Sequence, residues 1–125
     1  MKFLGIDHIE IIVRDLEQQI AWYQMLGFEL VRRTSHHGAS AELKFPGDGD
    51  QPIIELHQVA GEENVGVNHI AYRVDDADAF AEHAEANGLK LEAGPTFYEP
   101  TGRTLANFRD PDGWRMQIVS RKPKS

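Results

Sequence analysis

Two nine-residue stretches, GIDHIEIIV from Gly5 to Val13 and GVNHIAYRV from Gly66 to Val74, lie 61 positions apart. At that offset Gly5 meets Gly66, His8 meets His69, Ile9 meets Ile70, Asp15 meets Asp76 and Gly27 meets Gly88. The register runs over about 26 residues without a gap. Glycines, a histidine and an aspartate kept in step over that length indicate one unit of roughly 60 residues written twice. A fold for this chain must therefore use the same structural unit two times.

Each copy has the same grammar. A strand rich in Ile and Val comes first, at 3–13 and 66–74. Asp15 and Asp76 then stand where a helix N-cap belongs. Leu16, Ile20, Tyr23 and Leu26 form one helical stripe, and Ala77, Phe80, Ala81, Ala84 and Leu89 a second. Gly27 and Gly88 end the two helices. Three strands follow in each copy, at 28–34, 40–46 and 52–58, then 89–94, 103–109 and 114–120. PGDGD, YEPTG and DPDG separate strands as turns, and HHG around His36 and His37 reads as a turn rather than a second metal site. The expectation is an α+β chain of two βαβββ modules, about 1–60 and 64–125, in a single domain with mixed sheet pairing. Trp22 and Trp114 are expected to be packing residues.

Composition removes several classes of function. The 125 residues contain no cysteine, which excludes disulfides, thiolate metal sites and cysteine nucleophiles. The net charge is −7, and the one basic cluster is the tail SRKPKS, so no nucleic-acid surface is expected. MKFLGIDHIE does not read as a signal peptide, and no run approaches the ~18 apolar residues of a membrane span, so the expectation is cytoplasmic, with no membrane partner.

Strand alternation then sorts the polar residues by face. His8 and Glu10 share one face of the first strand, while Ile9, Ile11 and Val13 share the other, which a helix would cover. His69 and Arg73 take the corresponding face in the second copy. Glu55 lies between Ile54 and Leu56 on the last strand of copy one, and Gln117 between Met116 and Ile118 on the last strand of copy two. A carboxylate in an apolar strand needs a partner. If the copies pack as pseudo-symmetric mates, His8, Glu55, His69 and Gln117 converge as nitrogen and oxygen donors for one divalent metal, with two octahedral positions open. Ni, Co, Zn, Mn or Fe would suit such donors. Glu10, His57, Arg73 and Arg115 are candidate substrate contacts on the same face, with Arg103 near a mouth loop spanning Phe97 to Leu105. The two-fold repeat leaves open a single closed chain or a homodimer.

The stretches GIDHIEIIVRDLEQQIAWYQMLGFEL, PIIELHQ, GVNHIAYRVDD and FRDPDGWRMQIV resemble the vicinal oxygen chelate superfamily over nearly the whole chain. That superfamily includes glyoxalase I, methylmalonyl-CoA epimerase, extradiol dioxygenases, fosfomycin-resistance transferases and bleomycin-resistance proteins. The resemblance implies paired βαβββ modules forming a cup-shaped mixed sheet around a divalent metal. It places His8, Glu55, His69 and Gln117 at the four ligand positions and makes Glu55 the catalytic base. Gln117 departs from the usual eighth-strand glutamate, which breaks the His, His, Glu triad that the dioxygenases imply. The epimerase pattern implies glutamine on the fourth strand and glutamate on the eighth, the reverse of this chain. The expected function is a metal-dependent lyase or isomerase of glyoxalase type acting on a small α-oxygenated carbonyl compound. The alternative is a non-catalytic, bleomycin-resistance-like binder of a small molecule.

Overall fold

A computed structural model describes residues 1–35, 38–47 and 49–121. His36 and His37 lie outside the described residues. The element order is β1 (Phe3–Val13), α1 (Leu16–Met25), β2 (Glu29–Thr34), β3 (Ser40–Lys44), β4 (Ile53–Gln58), β5 (Gly66–Val74), α2 (Ala77–Ala86), β6 (Ala93–Tyr98), β7 (Arg103–Arg109) and β8 (Arg115–Arg121). This is α+β architecture with the βαβββ plan written twice.

The chain divides into two compact units, His8–Asn68 and a second made of Met1–Asp7 with His69–Ser125. In the first unit β4 pairs parallel with β1, and β2, β3 and β4 pair antiparallel in that order. In the second, β8 pairs parallel with β5, and β6, β7 and β8 pair antiparallel. Each unit therefore has mixed pairing with the same topology.

Local chemistry explains the helices. The Asp15 carboxylate accepts from the Gln18 amide at 3.1 Å, and Asp76 accepts from Ala79 at 3.0 Å, so both helices carry the side-chain cap expected from sequence. Each first turn is also fastened to the last strand of its own unit. The Leu16 amide donates to the Gln58 side chain at the end of β4, and the Ala77 amide donates to Ser120 on β8. Gly27 and Gly88, at φ +101 and +84, follow the last helical turns in a conformation that costs glycine little.

The cores follow the same division. Val13, Leu16, Ile20, Ala41, Leu43, Ile54 and Leu56 cluster in the first unit. Val74, Ala77, Phe80, Ala84, Ala106, Phe108 and Ile118 cluster in the second. Because Ile54 and Leu56 enter the core, Glu55 between them is directed to the opposite face; Ile118 fixes Gln117 in the same way.

Three expectations are corrected. Trp22, Leu26 and Trp114 are exposed rather than packed, because α1 buries only Leu16 and Ile20 and Trp114 stands in the turn before β8. The strand expected at 89–94 begins instead at Ala93, since Leu89 and Leu91 leave the helix and pack on the core before a ladder can start. The expected mouth loop from Phe97 to Leu105 is a hairpin: β6 runs to Tyr98, β7 starts at Arg103, and the Gly102 amide donates back to the Tyr98 carbonyl at 3.0 Å.

Candidate metal and proton-transfer residues

The register of the parallel pairs places the four expected donors in equivalent positions within their units. Glu55 lies opposite Glu10, two residues beyond His8. Gln117 lies opposite Ala71, two residues beyond His69. In both units a histidine on the first strand therefore precedes the fourth-strand acid or amide by one strand repeat.

In the first unit, His8 Nε2 stands 3.9 Å from Glu55 Oε2, with both side chains largely buried. Glu55 also belongs to a rung of acids. Glu10 on β1 and Glu42 on β3 flank it in register on either side. Burial in apolar surroundings is the largest influence on the Glu55 carboxyl and pushes it up from 4.5 to about 7. His8 opposes that rise, while the charge and hydrogen bond of Glu10 and the charge of Glu42 add to it. Glu42 is itself buried and has the Arg32 guanidinium 3.6 Å away. The sequence reading missed Glu42, although an acid between Ala41 and Leu43 carries the same signal that picked out Glu55.

In the second unit the matching rung is neutral: Ala71, Gln117, Asn107 and Ala93 lie in register. His69 and Gln117 are buried. The Gln117 amide donates to Asn107 Oδ1 at 3.0 Å, which turns its carbonyl oxygen the other way. That Oε1 atom is buried and has no hydrogen-bond partner among the described residues. A buried acceptor left in this state calls for a ligand or a cation. Among the described residues no group of three or more His, Cys, Asp or Glu side chains is gathered to hold a metal ion. Each unit by itself supplies two of the four expected donors.

The remaining expected contacts are largely engaged elsewhere. His57 is buried, with Nδ1 3.0 Å from the Ser40 hydroxyl and Nε2 3.3 Å from Glu63, so it fastens the loop after β4 rather than facing a ligand. Arg103 is 3% exposed and donates to Asp7 at 2.8 Å, which removes it from any mouth. Arg73 donates to the same carboxylate at 3.1 Å. Arg115 is exposed at the start of β8. Asp7 itself was missed; like Glu55 it is an acid inside an apolar strand.

Among the described residues no helix is long and apolar enough to cross a membrane. Lactoylglutathione lyase of Shigella flexneri is 32% identical over 126 residues, covering 92% of this chain and 91% of that enzyme. Glyoxalase I of Saccharomyces cerevisiae is 27% identical across 90% of this chain, which spans 42% of the yeast protein's length. The crystal structure of methylmalonyl-CoA epimerase from Mycobacterium tuberculosis matches with a TM-score of 0.81 over 95% of this chain and 89% of that one, at 24% identity, a likeness of fold. With the family model Glyoxalase/Bleomycin resistance protein/Dioxygenase superfamily matching residues 5–118, the chain belongs to that superfamily.

Proposed function

We propose that this chain is a metal-dependent lyase or isomerase of glyoxalase type, acting on a small α-oxygenated carbonyl compound, with Glu55 as its base. The observation that carries the reading is the contrast between the two rungs. One places a buried carboxyl, pushed up to about 7, beside two further acids; the other places an amide in the equivalent position. Proton transfer between adjacent carbons needs a group that can take up and return a proton, and Glu55 is the one carboxyl among the four expected donors. Gln117 cannot, since an amide takes up no useful proton at neutral pH. The chemistry is therefore one-sided: a single carboxylate removes the proton and returns it, and the product has one stereochemistry. The 32% identity to a lactoylglutathione lyase supports the same class.

His8, Glu55, His69 and Gln117 would hold one divalent metal, of the Ni, Co, Zn, Mn or Fe type. Their donors are borderline nitrogens and hard oxygens, and the buried Gln117 Oε1 is the acceptor that most needs a cation. Bound there, the metal would act as a Lewis acid that stabilises negative charge developing on substrate oxygen. Glu10, hydrogen-bonded to Glu55, would hold the base in position and tune it. Arg115, exposed at the start of β8, would meet an anionic substrate group.

Turnover of an α-ketoaldehyde, with and without added glutathione, by metal-reconstituted protein tests the reading. Glu55→Gln should reduce kcat by at least about a hundredfold while metal stays bound. Unchanged turnover in that variant would remove Glu55 from the chemistry. Absence of turnover in the wild type would favour the second reading, a non-catalytic binder, which the Gln117 amide in a carboxylate's place supports.

A further inference from the structure

The last strand of each unit carries a different chemical group in the equivalent place. Glu55 is a carboxyl, whose two oxygens are alike, and its neighbour in register on β3 is Glu42. Gln117 is a primary amide, whose two ends are unlike, and its neighbour in register on β7 is Asn107. An amide can turn over about its last torsion and keep nearly the same shape. Packing alone therefore does not choose which end of Gln117 points away from β7; a hydrogen bond must. Only the oxygen end can meet a cation, because the amide nitrogen donates and accepts nothing.

Asn107 is placed to make that choice. Ala106 and Phe108 enter the core of their unit, which directs Asn107 between them to the opposite face of β7, the face that Gln117 takes on β8. β7 is held on both sides, in register with Ala93 of β6 and Gln117 of β8, and the Asn107 carbonyl accepts from the Glu92 amide at 2.8 Å. The outer members of the rung, Ala71 and Ala93, have no polar side-chain atom. Within the rung, Asn107 is thus the one side chain that can accept from Gln117, and it does so at 3.0 Å. The Gln117 oxygen is left buried, with no hydrogen-bond partner among the described residues.

We propose that Asn107 is a positioning residue, which takes up the Gln117 amide and so presents Gln117 Oε1, rather than Nε2, to the ligand. That the ligand is a divalent cation rests on the metal reading above; the orientation does not. Partners that fix a ligand's orientation are worth about 10- to 100-fold in metal affinity.

Two measurements on the full-length chain test this role. In metal-free protein with chelator present, nitrogen-15 NMR follows the Gln117 side-chain amide. Its hydrogen-bonded proton should stay downfield in Asn107→Asp, whose carboxylate can only accept, and move upfield in Asn107→Leu. Cobalt(II) affinity is then read by competition with a chromogenic chelator. Asn107→Leu should weaken cobalt(II) by about 10- to 100-fold, and Asn107→Asp should bind it at least as tightly as wild type. In a Gln117→Ala background, Asn107→Leu should change nothing further, because its effect runs through Gln117. A leucine that merely disturbed the fold would weaken cobalt(II) in both backgrounds. The proposal is overturned if Asn107→Leu keeps the wild-type amide shift, binds cobalt(II) as tightly as wild type does, or weakens it equally with and without Gln117. A wild-type chain that binds no cobalt(II), with the amide shift lost in Asn107→Leu and kept in Asn107→Asp, removes the metal reading and leaves the orienting role standing.

Discussion

At the residue scale, the raised pKa of Glu55, the proposed base, has a consequence for stability. In metal-free protein the folded state binds a proton between pH 4.5 and about 7 that the unfolded chain has released. Its contribution is therefore fully present below pH 4.5 and lost as pH rises through 7. Glu55→Gln should be more stable than wild type at pH 8 by up to about 3 kcal/mol, and close to it at pH 4.5. Urea unfolding in a chelator at the two pH values checks the sign; equal differences at both would refute it. At Asp7 three guanidiniums donate to one buried carboxylate. Asp7→Asn should cost about 3–5 kcal/mol in urea unfolding, because it sets a neutral amide in place of the carboxylate that the buried Arg103 guanidinium donates to. A cost under about 1 kcal/mol would mean the cluster contributes little. Glu55 was legible in sequence because an acid between two core residues is conspicuous. The engagement of Arg73 and Arg103 by Asp7, and of His57 by Ser40 and Glu63, was not, because alternation gives a face and not a partner.

The repeat made most elements readable, since each feature appears in two contexts. Caps at Asp15 and Asp76 and terminators at Gly27 and Gly88 fall where the pattern requires. The start of β6 was misplaced because apolar Leu89 and Leu91 imitate a strand while packing on the core. Its register is broken between Ala93 and Thr96, where Gly94 passes close to β7. Gly94 has φ +82, and an added Cβ would run into the Leu105 carbonyl and the Ala106 Cα. Gly88 has a similar φ of +84 but open space around it. Gly88→Ala should cost about 1 kcal/mol from the left-handed backbone alone, whereas Gly94→Ala should cost at least about 2 more. Thermal unfolding of the two variants separates the terms, and equal costs would contradict the close approach.

The sequence division at about residues 60–64 does not coincide with the compact units. Met1–Asp7 belongs with His69–Ser125, and Phe3 packs edge-on to Tyr72 and Phe80 there. We propose that the two modules form one folding domain. A fragment covering 64–125 lacks Asp7 and should not fold, leaving three arginines without their carboxylate; a cooperative unfolding transition in that fragment would contradict this. We also propose a homodimer, supported by the exposed Leu4 and Ile6 on the first strand, with a light-scattering mass near twice 14.1 kDa. The central claim is that equivalent positions in the two copies supply one metal's donors, and metal content per chain measured by elemental mass spectrometry tests it most directly. The prediction is about one divalent metal per wild-type chain and none in the His8→Ala/His69→Ala double variant. A wild-type chain that holds no metal after reconstitution, or a double variant that retains it, would contradict the claim.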